Sequence, residues 1–222
     1  MAMPANPKER LRVWLAVATV LSLGVGLVPS SGLTHWTWQA LGGEQSLSLD
    51  LFAYLTLLAI GLLLALSAPR RSGLIVGELR PHWWKVIIVC AIPVILMLLD
   101  DTPKQGDSPF AQQSYTMWLL SPMAQDLIFI GFLYGQLEQA KPGTLHPKLP
   151  ISWALAFTAF FFAIFHLPNL AAGMSPGFML FQLAYTGVGL LVVGLSRQWT
   201  GSILYAVLAH TLVNFLAWYT VT

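Results

Sequence analysis

Apolar residues run along this chain in long blocks rather than in alternation with polar ones. Seven blocks stand out, at about 13–30, 47–68, 84–99, 114–137, 151–168, 176–195 and 202–220. Most approach the ~20 residues a helix needs to cross a ~30 Å hydrocarbon core. The third is short, which fits a smaller tilt or a thinner membrane. A lone spanning segment must satisfy its own backbone hydrogen bonds, so each block predicts a helix. Prolines such as Pro69, Pro81, Pro103, Pro142, Pro150, Pro168 and Pro176 stand at or near the block ends, where they punctuate the joints. Pro93 and Pro122 fall inside blocks and predict kinks.

Composition sharpens this picture. Of 222 residues, 56% are apolar and only 9% charged, against roughly 25% charged in an ordinary soluble domain. A soluble surface of this size cannot be covered so sparsely, so lipid is the expected solvent. The expectation is a single all-α integral membrane domain over residues 1–222, a polytopic bundle of about seven transmembrane helices. The net charge of +2 comes without a basic tract, so no nucleic-acid partner is expected. No internal repeat or low-complexity segment is visible. The single cysteine, Cys90, excludes an intramolecular disulfide and reads as a buried, inert thiol.

Charge placement then sets an orientation. With the N-terminus in the cytoplasm, Lys8, Arg10, Arg12, Arg70, Arg71, Arg80, Lys85, Lys141, Lys148 and Arg197 fall inside, and only Lys104 falls outside. That bias follows the positive-inside rule and puts the C-terminus outside. Glu44, Asp50, Asp100, Asp101 and Asp107 gather on the outer side. Trp14, Trp83, Trp84, Trp153 and Trp199 mark an inner aromatic belt, and Trp36, Trp38, Tyr115, Trp118, Trp218 and Tyr219 an outer one. The first block follows basic residues but is long and lacks a small-x-small site, so it reads as an anchor rather than a cleaved signal.

Polar side chains inside spans are costly and commonly functional. Asp126 is the only acid deep in a block, with Gln125 beside it. Phe162 and His166 are four apart, and so are His210 and Asn214, so each pair shares a helix face. Each group also has a plain packing role open to it, as polar glue between helices. Together they form a set: a carboxylate or histidine to activate water, another to hold it, and an amide to stabilise developing charge.

In that order, with the flank Thr200-Gly201-Ser202-Ile203-Leu204 before Leu208-Ala209-His210, the motifs resemble the CPBP family, the CAAX-processing and bacteriocin-processing (Abi) membrane proteases. The likeness covers about 114–218, a CAAX-protease-like core, and leaves 1–110 as flanking transmembrane helices. The family carries Glu-Glu-x-x-x-Arg, then Phe-x-x-x-His, then His-x-x-x-Asn or Asp. The second motif matches at Phe162 and His166, and the third at His210 and Asn214. The first departs: Gln125 and Asp126 stand for the two glutamates, and Ile130 for the arginine.

The resemblance implies an intramembrane endopeptidase with Asp126, His166, His210 and Asn214 as catalytic residues and Gln125 and Phe162 lining the site. Its substrate would be a membrane-anchored or lipidated protein or peptide. Glutamine cannot act as a base, so three readings stay open. Asp126 is the base in a shifted geometry; or His166 or His210 is the base and Asp126 orients it; or the fold is kept without activity, as a membrane scaffold or immunity protein. Two histidines and a carboxylate also suit zinc, but water activation needs no metal, and no cofactor is expected. A proton-relay transporter is the least favoured class, since no inverted repeat is seen. The short, loop-poor chain fits a prokaryotic plasma membrane. One geometric demand follows: His166 lies near the end of its block and His210 nearer the middle, so the fifth helix must start early, tilt or break for them to meet.

Overall fold

The computed structural model describes residues 6–27, 40, 47–75, 77, 79–98, 119–140, 142–170 and 175–219. Every apolar block carries a helix within these residues. Helix α1 is Pro7–Leu27, α2 Leu47–Leu66, α3 Pro69–Ser72, α4 Trp83–Leu98 and α5 Ser121–Asp126. A π-helical stretch, Leu127–Leu133, continues α5 without a break into α6, Tyr134–Ala140. Helix α7 is Trp153–Ile164, followed by a 3₁₀ turn at Leu167–Leu170; α8 is Pro176–Thr200 and α9 Ile203–Tyr219. The outer-belt residues Trp36, Trp38, Tyr115 and Trp118, together with Lys104, lie outside the described residues. So do the acids Glu44, Asp100, Asp101 and Asp107.

Local chemistry sets the ends. The Ser152 hydroxyl caps α7 by accepting the Leu155 N–H at 3.1 Å, and Ser175 caps α8 by accepting the Phe178 N–H at 3.3 Å. Pro176 follows in the first turn of α8, where its missing N–H costs nothing. Helix α8 stops at Gly201, whose left-handed φ of 76° only glycine adopts readily. Pro122 stands in the first turn of α5, and α4 runs through Pro93 to Leu98.

The run from α5 through α6 is the centre of the bundle. Ile128, Phe129, Ile130 and Leu133 are all but sealed from solvent. Helices α1, α2, α3, α7 and α9 pack around it. Close approach depends on small residues: a side chain at Gly135 would strike the backbone of Arg71 in α3, and one at Gly61 would crowd Leu127 and Ile128. The π turns were not readable in the sequence. An i→i+5 ladder has no residue signature of its own and commonly marks functional sites.

Bulky apolar side chains also face outward: Leu63 is 69% exposed, Leu180 70% and Phe181 62%. Two stretches, Trp153–Leu170 and Pro176–Thr200, are long and apolar enough to cross a membrane, and Leu51–Leu66, Trp83–Ile92 and Ile203–Phe215 are shorter apolar helices. Arg197, placed in a loop by the block boundaries, instead lies in the last turn of α8 and is buried. The block pattern missed this because it ends α8 at the last apolar residue. The helix continues because Arg197 has partners inside: its Nη2 donates to the Arg71 carbonyl at 2.8 Å, and its guanidinium lies 5.6 Å from the Tyr134 ring centre.

Candidate active site

Asp126 is the last residue of α5 and has no exposed surface. Its Oδ1 lies 2.9 Å from Nδ1 of His210, which projects from the middle of α9. The two residues are 84 apart in sequence. A carboxylate only accepts, so the bond assigns the proton to Nδ1 and leaves Nε2 of His210 with its lone pair. The second oxygen, Oδ2, is shielded from water and has no hydrogen-bond partner among the described residues.

His166 is held by its own helix. Helix α7 ends at Ile164, and the backbone then tightens: the His166 N–H bonds to the Ala163 carbonyl at 3.0 Å. The Phe162 carbonyl, without its helical partner, accepts from Nδ1 of His166 at 2.9 Å instead. The imidazole thus serves one of the orphan carbonyls at the helix end. A carbonyl cannot donate, so His166 likewise keeps its proton on Nδ1 and presents Nε2 as the basic atom. A break in the fifth helix, one of the three ways open to it, is found just before His166. The following turn is tied to α8 by Asn169 Nδ2, which donates to Gln182 Oε1 at 3.3 Å.

Phe162 joins the two histidines. Its ring meets His166 edge-to-face at 4.9 Å between centres and His210 at 6.2 Å. Phe129, on the first π turn after Asp126, meets Phe162 at 5.1 Å and Phe165 at 5.2 Å, both edge-to-face. One short stretch, 126–129, therefore carries both the acid that holds His210 and the ring that seats the His166 turn. Phe129 and Phe165 had not been singled out in the sequence. Phe129 lies one turn from Asp126, and as one more apolar residue in an apolar block it carries no signal of its own. Ile130 itself has no exposed surface, and an arginine there would need a buried partner.

Asn214 is half-buried one turn along α9 from His210, and Gln125 is half-buried beside Asp126. Neither takes part in a hydrogen bond among the described residues. Among the described residues, no group of three His, Cys, Asp or Glu side chains gathers in a metal-binding arrangement. The arrangement offers two imidazoles, each with its tautomer fixed by a different acceptor and one backed by a buried carboxylate. Such a set takes and returns protons.

Asp126 on α5, His166 just beyond α7 and His210 on α9 thus form, among the described residues, a set of side chains able to exchange protons on a helical scaffold. Residues 107–216 match the family described as type II CAAX prenyl endopeptidase Rce1-like. That match agrees with the CPBP resemblance of the motifs. Searches of curated proteins and of solved structures each found no match.

Proposed function

We propose that this protein is an intramembrane endopeptidase that hydrolyses a peptide bond of a membrane-anchored or lipidated protein. The observation that carries the reading is the 2.9 Å bond between Asp126 and His210. It favours the second of the three sequence readings, in which a histidine is the base and Asp126 orients it. In this scheme a water donates a proton to Nε2 of His210, and the hydroxide forms a bond to the scissile carbonyl carbon. Asp126 stabilises the imidazolium. Nε2 of His166 accepts the water's other proton as a hydrogen bond and so aims it, and the Asn214 amide donates to the oxyanion. The C–N bond then breaks as the imidazolium returns its proton to the leaving amine. No step requires a metal or cofactor.

The family is one of membrane proteins, and the outward apolar side chains and the charge bias support a multi-pass arrangement. We place the chain in a prokaryotic plasma membrane as about seven spans, N-terminus cytoplasmic and C-terminus outside. Residues 1–110 would wall the motif-bearing core.

A second reading has its own observation. Gln125 and Ile130 stand where the family carries glutamate and arginine, which fits a scaffold or immunity protein without peptidase activity. The deciding experiment compares wild type with Asp126→Asn, His166→Ala and His210→Ala, in liposomes, on a panel of membrane-anchored reporter peptides. The peptidase reading expects cleavage by wild type and loss in all three variants. A folded but inactive wild type that gains turnover through Gln125→Glu with Ile130→Arg would establish the scaffold reading instead.

A further inference from the structure

Gln182 is a side-chain amide inside α8, in a stretch long and apolar enough to cross a membrane. A polar group there is costly unless it is bonded, and such residues commonly serve function. Thr186, one turn further on, shows how a helix satisfies a polar side chain by itself: its hydroxyl donates back to the Gln182 carbonyl at 2.7 Å. Gln182 reaches outside its own helix instead. Its Oε1 accepts from Nδ2 of Asn169 at 3.3 Å.

That bond holds the turn that carries His166. Asn169 donates its backbone N–H to the His166 carbonyl at 3.0 Å, and His166 donates its own to the Ala163 carbonyl at 3.0 Å. The Nδ1 bond to Phe162 fixes the ring relative to this short piece of backbone, so Nε2 points where the turn points. Helix α7 has ended at Ile164, and the i→i+3 bonds that follow have poorer geometry than an α-helical ladder. Helix α8 meets this region on both sides of His166. Before it, a β-carbon at Gly187 would meet the Ala163 methyl at 3.5 Å; after it, Gln182 takes Asn169. The first contact sets how near the helices lie. The second is a hydrogen bond and therefore directional.

We propose that Gln182 is a positioning residue for His166. Acting through Asn169, it fixes the turn so that Nε2 of His166 keeps its aim at the attacking water. The inference rests on the peptidase reading for its effect on turnover, while its effect on the His166 ring is read without any substrate.

The test uses the full chain in liposomes, with ¹⁵N-labelled histidine read by solid-state NMR beside cleavage of the reporter peptides. Gln182→Met keeps the length of the side chain and suits an apolar span, but offers Asn169 only a weak acceptor. It should lower kcat about tenfold, a smaller loss than the ~10²-fold of a full 1 Å misplacement, with KM within about twofold. Tm should stay within about 3 °C of wild type, since one such bond between membrane helices is worth little. The His166 signal should change from a single Nδ1–H form to two exchanging tautomers, with His210 as in wild type. In an Asn169→Leu background, Gln182→Met should cost nothing further in kcat, because the two act through one bond. Thr186→Val, which removes a hydroxyl bonded within α8, should leave kcat and both histidine signals as they are. Unchanged kcat for Gln182→Met in an active protein would overturn the proposal and make the bond merely structural. A lowered kcat with a wild-type His166 signal would overturn it in favour of a direct contact with substrate. Equal losses in Thr186→Val, or a further loss in the Asn169→Leu background, would overturn it as well. A wild type without turnover would sink the peptidase reading alone, and the His166 signal would then decide the role of Gln182.

Discussion

Asp126 and Arg197 are both buried charges against the same central run of helix, yet their surroundings differ in kind. Arg197 meets a backbone carbonyl of α3 and the face of Tyr134, and a guanidinium keeps its proton inside proteins. The acceptor of its hydrogen bond is a backbone carbonyl, which does not titrate. Nearby, Gln198 accepts the Ser152 N–H at 3.0 Å. That end fastens α3, α6, α7 and α8 together. Asp126 instead meets a titratable imidazole from a distant helix, although each of the two keeps one shielded atom without a described partner, Oδ2 of Asp126 and Nε of Arg197. Burial of charge alone does not separate a clamp from a reaction centre. The nature of the partner does.

Asp126→Asn breaks this comparison most sharply. The amide keeps the shape but cannot carry the charge that stabilises an imidazolium, and it can leave the histidine in the wrong tautomer. Cleavage should fall by about 10³-fold, roughly 4 kcal/mol at the transition state, with Tm within about 3 °C of wild type. A large fall in Tm with activity intact would make Asp126 a clamp like Arg197. Asn214→Ala should follow at about 10²-fold in kcat, the usual loss for one oxyanion donor, with KM nearly unchanged. Unchanged kcat would remove Asn214 from the scheme.

Arg197→Met should do the reverse. It keeps an apolar stem and loses a charge-assisted bond to the Arg71 carbonyl, for about 2 kcal/mol of stability. Thermal unfolding in detergent should drop by about 5 °C, while turnover per folded molecule stays within twofold. A selective loss of turnover would tie that end to the chemistry.

The sequence was most legible where physics is local. Block lengths and prolines such as Pro176 located helices and their joints, because both act over a few neighbouring residues. The i, i+4 pairs at Phe162–His166 and His210–Asn214 were visible for the same reason. What stayed hidden was long-range. No spacing rule pairs Asp126 with a residue 84 positions on. Arg197 looked like a loop cation because its partner carbonyl belongs to Arg71, 126 positions away. The π turns at Leu127–Leu133 lie in the central helix where several others pack on it, and composition does not record them. The helix break after Ile164 lay between these limits: Pro168 hinted at it, but the imidazole that replaces a backbone donor at Phe162 could not be foreseen.

Phe129→Leu tests the smallest link, the one between Asp126 and the His166 turn. Leucine stays apolar and nearly fills the space, but it removes two edge-to-face contacts, with Phe162 and Phe165, each worth about 0.5–1.5 kcal/mol beyond burial. Stability should fall by about 1–3 kcal/mol. If the ring also sets the distance between the two imidazoles, kcat should fall about tenfold, since sub-ångström misplacement of a reacting group is expensive. Phe129→Tyr, which keeps the ring, should be the better tolerated of the two in kcat even though a hydroxyl at this buried position costs stability. Equal kcat in wild type, Phe129→Leu and Phe129→Tyr would mean that the His166 turn is positioned by its own bond to Phe162 and by the Asn169–Gln182 tie. The aromatic cluster would then belong with Arg197, among the parts that hold the bundle together.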